Sequence, residues 1–103
     1  MNIVVWEYEV RAGAEAAFET LYGAEGAWVA LFRTHAGYIG TELLRDALEV
    51  AAGRRRYLTI DRWRSAADYD AFLASDRARY AEIDAQGDAL TASERRVGRY
   101  DTL

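Results

Sequence analysis

Two stretches of the chain, residues 2–10 and 54–63, combine β-branched and aromatic side chains with period-2 alternation, and each leads directly into a segment with helical period. In the first, Trp6, Tyr8 and Val10 alternate with Glu7 and Glu9; in the second, Tyr57, Thr59, Asp61 and Trp63 share one face, with Leu58, Ile60 and Arg62 on the other. Strands with this pattern need one covered face. After the first strand, Phe18, Leu21, Tyr22, Trp28, Leu31 and Phe32 recur at steps of mostly three and four, which predicts an amphipathic helix from Ala12 to about Arg33. Gly23 and Gly26 predict a bend or break within it, because glycine costs about 1 kcal/mol against alanine in a helix interior. After the second strand, Ser65 is a suitable N-cap, and Tyr69, Phe72, Leu73, Tyr80 and Ile83 keep helical spacing to about residue 85.

A second strand from Gly37 to about Arg45, a polar connection from Asp46 to Gly53 and a last strand from about Glu94 to Tyr100 complete the order β-α-β-β-α-β. That order predicts an α+β, ferredoxin-like split arrangement, a four-stranded antiparallel sheet with its helices on one face. The 103 residues, 51% hydrophobic and without proline or linker, are expected to form one domain over 1–103. Ile3, Val5, Leu58 and Ile60 alternate onto the helix-free face, so a homodimer joined sheet to sheet is expected. A monomer tolerating some exposed aliphatics is the alternative.

Composition narrows the chemistry. Thirteen arginines and no lysine against seventeen acids give a net charge of -4, which disfavours nucleic acid and removes Schiff-base chemistry. Cysteine is absent and His35 is the single histidine, so thiolate sites and His-rich metal centres cannot be built; no metal ligand is expected. Aromatics, arginine and carboxylates are left to act. Residues 1–7 lack a basic region and reach a carboxylate at Glu7, which argues against a signal peptide or membrane contact and makes the cytoplasm the expected compartment.

Several segments together carry a resemblance: Tyr22-Gly23-Ala24-Glu25-Gly26-Ala27-Trp28, Leu31-Phe32-Arg33, Gly37-Tyr38-Ile39-Gly40-Thr41-Glu42-Leu43-Leu44-Arg45, and the run from Tyr57 that ends Asp61-Arg62-Trp63-Arg64-Ser65. In this order and over nearly the whole chain, they resemble the antibiotic biosynthesis monooxygenase domain, of the dimeric α+β barrel group. The resemblance implies a cavity between helices and sheet, lined by Trp6, Tyr8, Thr59, Asp61 and Trp63 from the strands and by Tyr69 and Tyr80 from the second helical region. Trp63 and Tyr69 look like the Trp and Tyr, six residues apart, of the family's aromatic-polyketide oxygenases; the Asn those proteins carry four residues before the Trp is Thr59 here.

That branch implies a cofactor-independent oxygenation. The substrate anion reduces dioxygen, the pair recombines to a peroxide, and loss of water leaves a quinone. Partners are then a small aromatic molecule and dioxygen, no cofactor is needed, and Trp63, Tyr69 and His35 are the catalytic candidates, with Trp6, Tyr8, Thr59, Asp61 and Tyr80 binding substrate. Two alternatives stay open. One is a non-catalytic, dimeric ligand-binding or stress-related domain of the same fold. The other is haem degradation, for which the similar branch places a His on the second helical region and an Asn in the first strand, where this chain has Tyr80 and Trp6.

Each candidate also has a plainer role. Trp63 can anchor the end of a strand, Trp6 and Trp28 can simply pack, the three tyrosines can be core residues with hydroxyls at the rim, and a loop histidine such as His35 can cap a helix. Arg54-Arg55-Arg56 reads as a solvated hairpin arm and Glu94-Arg95-Arg96 as a charged, protected strand edge. Alternation points Asp61 inward, where a buried carboxylate needs a partner and has its pKa raised; pairing with an arginine, rather than catalysis, is expected of it.

Overall fold

In a computed structural model, which describes residues 1–103, the first strand, β1, spans Asn2–Val10 and sorts its side chains by alternation. Val4, Tyr8 and Val10 are buried on one face, while Ile3, Val5, Glu7 and Glu9 are half-buried on the other. Helices α1 (Glu15–Tyr22) and α2 (Ala27–Phe32) follow, then β2 (Tyr38–Ala51), β3 (Arg54–Trp63), α3 (Ala66–Ala74), α4 (Arg77–Asp88) and β4 (Thr91–Asp101). The sheet order is β2-β3-β1-β4, with every neighbouring pair antiparallel. This is the expected ferredoxin-like α+β arrangement. Buried residues of all four helices, among them Phe18, Phe32, Phe72 and Ile83, join Val4, Tyr57 and Trp63 of the sheet in one core.

The break expected in the first helical region falls where the glycines stand, with Gly23 and Gly26 both in extended backbone between α1 and α2. Three boundaries differ from expectation. The strand expected to stop near Arg45 runs on to Ala51, leaving only Ala52 and Gly53, both at positive φ, as a two-residue turn. Neither face of this hairpin arm is buried, so it carries no apolar alternation to read, and its pairing shifts register between Arg45 and Glu49.

The second helical region is two helices rather than one. Ser75 donates its hydroxyl to the carbonyls of Ala71 and Phe72, which closes α3, and Asp76 takes a left-handed φ of 50° before α4 begins. The last strand begins at Thr91, not near Glu94, because pairing with β1 starts opposite Val10. Ser65 caps α3 as expected, accepting the Asp68 backbone N–H at 3.1 Å.

The helix-free face carries Ile3, Val5, Leu58 and Ile60, all half-buried, with Val5 opposite Ile60. Leu44 and Tyr100, 42% and 50% exposed, extend this apolar strip. Arg62 with Glu42 (2.6 Å) and Arg95 with Glu7 (3.6 Å) rim it. No helix is long and apolar enough to cross a membrane.

Candidate active site

Between the helices and the covered face of the sheet lies a cavity with about 530 Å³ of empty space, its open mouth included. Strand alternation puts Trp6 and Tyr8 of β1 and Thr59 and Asp61 of β3 on its floor, and Thr41 of β2 joins them. Trp28 of α2, Tyr69 of α3 and Tyr80 of α4 face them from the helices. The space open to the centre of a water molecule is only about 40 Å³, so the walls nearly meet and leave a narrow slot.

The floor is polar in a patterned way. Tyr8 and Thr59 share a buried hydrogen bond of 2.9 Å between their hydroxyls. Thr41 donates its hydroxyl to Asp61 Oδ1 at 2.6 Å, and the Tyr38 hydroxyl lies 2.7 Å from Thr41 Oγ1, making a Tyr38–Thr41–Asp61 chain. The arginine expected beside Asp61 is not there: Thr41 is its hydrogen-bond partner, and the nearby β4 arginine Arg99 pairs with Asp70 at 3.0 Å. Burial therefore pushes the Asp61 carboxyl up to about 6, with the Thr41 hydrogen bond opposing the rise.

Burial likewise raises the phenols of Tyr8, Tyr22, Tyr69 and Tyr80, the last to about 12. At neutral pH all four are uncharged O–H groups, able to donate.

Trp63 and Tyr69 are brought together, with ring centres 5.5 Å apart, but only Tyr69 reaches the cavity. Trp63 is fully buried behind it, against Phe72 at 5.2 Å and Tyr38 at 5.4 Å, and its indole N–H makes no hydrogen bond. His35 follows α2 in the turn before β2, with Nε2 3.2 Å from Asp76 Oδ2 and its ring edge-on to Phe72 at 5.1 Å. It stands outside the cavity lining, in contact with the lining residue Phe72. The remaining candidates, Trp6, Tyr8, Thr59, Asp61 and Tyr80, all line the cavity.

The profile of the family described as antibiotic biosynthesis monooxygenase matches residues 1–94. The chain belongs to the antibiotic biosynthesis monooxygenase family. No curated protein sequence matches it. Among solved structures, it is similar to SnoaB, a cofactor-independent oxygenase from Streptomyces nogalater, at 19% identity and a TM-score of 0.76, over 99% of this chain and 92% of that one. An asparagine-to-alanine variant of SnoaB also gives 0.76, at 21% identity over 98% and 91% of the two chains. A conserved protein from Methanosarcina mazei gives 0.67, at 14% identity over 96% and 89%. At these identities, the likeness shows the fold.

The cavity of this antibiotic biosynthesis monooxygenase family member includes residues that sequence reasoning left out. Tyr22, Trp28, Phe32 and Phe72 look like core in the sequence and are both core and lining. Gly87 makes room for Tyr22, since a Cβ there would lie 2.2 Å from its hydroxyl oxygen.

Glu94, read as part of a charged edge, instead lines the cavity together with Asp84. Their carboxylates and that of Asp88 come within 4.8 Å of one another. Partial burial and mutual repulsion raise Asp84 and Glu94. An all-carboxylate trio suits a hard cation in ligand type, but Asp88 and Glu94 are exposed, and such groups are common without an ion.

Proposed function

We propose that this protein is a cofactor-independent monooxygenase acting on a small hydroxylated aromatic, of phenol, quinol or anthrone type, in the cavity between sheet and helices. The observation that carries the reading is the slot itself, walled by the rings of Trp6, Trp28, Tyr69 and Tyr80 and studded with neutral phenol hydroxyls, in a member of this family. The fold it shares with a cofactor-independent oxygenase supports the same reading.

In the reaction, the bound substrate loses a proton, and its anion gives one electron to dioxygen. The two radicals combine as a peroxide, which takes up a proton and expels water. The net change carries the hydroxyl hydrogen and one ring C–H hydrogen away with one oxygen of O₂ as H₂O and leaves the other oxygen on the ring, so that the hydroxyl carbon and the oxidised carbon both become C=O. The protein orients the ring between aromatic walls, excludes water and offers donors to the developing oxyanion.

Tyr69 is the donor best placed for this role, and Tyr8, fixed by Thr59, is a second one on the floor. Trp63 and His35 act as positioning residues: Trp63 backs Tyr69 and Phe72, and His35 braces Phe72 while holding Asp76 at the α3–α4 break. Two copies associate through the helix-free face, burying the strip of Ile3, Val5, Leu58 and Ile60.

Oxygen uptake by the metal-free protein with a panel of anthrones and dihydroxynaphthalenes, against a heat-treated control, tests the reading. Uptake is expected, and Tyr69→Phe is expected to lower kcat by about 100- to 1000-fold, as for loss of an oxyanion donor. The narrowness of the slot favours a second reading, a non-catalytic ligand-binding domain. Ligand binding without uptake across the panel would establish that one and remove the oxygenase.

A further inference from the structure

The charged side chains that line the cavity are all acidic, and the arginines near it, Arg96 and Arg99, reach it only across the Tyr69 ring. Asp61 lies in its floor, Asp84 and Glu94 line it further out, and no arginine or histidine is among the lining residues. The nearest cations are committed or outside: Arg99 pairs with Asp70 and rests 4.7 Å from the centre of the Tyr69 ring, and Arg96, opposite Trp6, is exposed on the β4 edge. Asp61 itself is 6% exposed, and only Oδ1 accepts a hydrogen bond, from Thr41. Oδ2 accepts none, in a residue that lines the cavity. A nearly buried carboxylate with one free oxygen, held by a single neutral donor and no countercharge, is costly as architecture and useful as a proton acceptor.

We propose that the cavity takes its aromatic substrate in the uncharged, protonated state, excludes aromatic carboxylates, and uses the free oxygen of Asp61 as the base that removes the substrate's hydroxyl proton. The base role rests on the oxygenase reading; the charge selection does not. In the transfer, the substrate O–H bond breaks, an O–H bond forms on Asp61, and the bonding pair stays on the substrate oxygen. The net charge of the site is unchanged, because the negative charge moves from carboxylate to substrate. The same proton is then available for the peroxide anion, which returns Asp61 to its starting state. A ligand that arrives as an anion instead adds a second negative charge to a low-dielectric space. Like charges several ångströms apart in such a site weaken binding on the order of 100-fold.

Protonation follows the same geometry. With its carboxyl raised by burial to about 6, Asp61 is ionised at neutral pH and becomes inactive as a base in mild acid. The groups around it are Tyr38 through Thr41, Tyr8 on β1, Tyr69 on α3, Tyr80 and Asp84 on α4, and Glu94, Arg96 and Arg99 on β4. The phenols, raised by burial, stay protonated, so Asp84 and Glu94 are the other raised groups that titrate in acid.

Three probes of one shape, 2-naphthol, 2-naphthoate and 2-naphthylmethylammonium, separate charge from fit when their binding is followed at pH 7.5 by quenching of tryptophan fluorescence. Naphthol and the ammonium are expected to bind, with naphthoate about 100-fold weaker than naphthol. The double variant Asp61→Asn, Asp84→Asn should recover at least tenfold of the naphthoate affinity. Naphthoate binding as tightly as naphthol, or no binding of naphthol, would overturn the selection.

For the base, Asp61→Asn should keep naphthol affinity within threefold, which shows an intact cavity, while lowering oxygen uptake at least 100-fold. Asp84→Asn and Glu94→Gln should keep the acid limb of kcat/KM near pH 6. Uptake by Asp61→Asn within threefold of the parent, with that limb intact, would overturn the base role. A lack of uptake with every hydroxyarene of the panel would overturn the oxygenase reading and the base with it, and leave the binding order to decide charge selection.

Discussion

Replacing Asp61 by Asn should make the protein more stable at pH 8 and leave it little changed at pH 4. Burial raises the Asp61 carboxyl from 3.8 to about 6, so between these values the folded state binds more protons than the unfolded state, and stability falls as pH rises through the window. Above pH 6 the penalty is complete. A rise of about two units, at 1.36 kcal/mol each, makes it about 3 kcal/mol. Asparagine removes the charge, and its Oδ1 still accepts the Thr41 hydroxyl, but its amide brings N–H donors into a floor that offers few acceptors, at a cost of about 1 kcal/mol.

The net gain is therefore about 1 to 2 kcal/mol, and a 103-residue chain converts each kcal/mol into about 4 to 5 °C of Tm. Urea denaturation of the parent and the variant at pH 4, 6 and 8, at one protein concentration, reads the difference directly. A variant no more stable than the parent at pH 8, or a gain of equal size at all three pH values, would refute a desolvated, ionised Asp61.

Gly87→Ala should destabilise the protein by about 1 to 2 kcal/mol in a thermal scan, despite alanine's better helix propensity. The new methyl would meet the Tyr22 hydroxyl at 2.2 Å, and Tyr22 cannot retreat because Phe18 stacks on it at 4.2 Å and Tyr8 crowds it at 4.9 Å. Ser65→Ala removes the acceptor for the Asp68 N–H and should cost about 1 kcal/mol, seen as a Tm lower by about 4 to 5 °C. Light scattering should give twice the 11.6 kDa chain mass for the parent and the single-chain mass for Ile60→Glu, which places a charge beside Val5 in the middle of the helix-free strip. A parent mass of one chain would refute the sheet-to-sheet dimer.

How much of this could be read in the sequence depended on what was buried. β1 and β3 were legible to the residue because each has one covered face, so alternation had to match the pleat. The glycine-marked break between α1 and α2 was legible for a similar reason: a residue type declared it. The outer half of the β2–β3 hairpin was not legible, since a ribbon with both faces in water obeys no apolar period. Nor was the α3–α4 break, where Ser75 and Asp76 look like ordinary helix surface until the serine hydroxyl turns back onto its own carbonyls.

The site is a harder case, because its walls are made from the same residue types as its core. Tyr22, Phe32 and Phe72 bury themselves against neighbours and also face the slot, so spacing that marks a helix's apolar face cannot distinguish core from lining. Trp63 shows the converse: its spacing to Tyr69 is real as a contact, yet the indole lies one layer behind the cavity. A partial marker of lining is polarity on an inward-facing strand position, where packing alone would select an aliphatic residue; Asn2 and Thr91 are buried polar strand residues too, but lie at strand ends outside the cavity. Thr41, Thr59 and Asp61 all carry the marker, and all three line the floor. Between Thr59 and Asp61 the difference is compensation. Thr59 is matched by Tyr8, whereas Asp61 has one neutral donor and a free oxygen. A buried charge left only partly matched destabilises the fold at every pH above its own titration, so its stability cost and its availability to a ligand's proton come from the same unmade hydrogen bond.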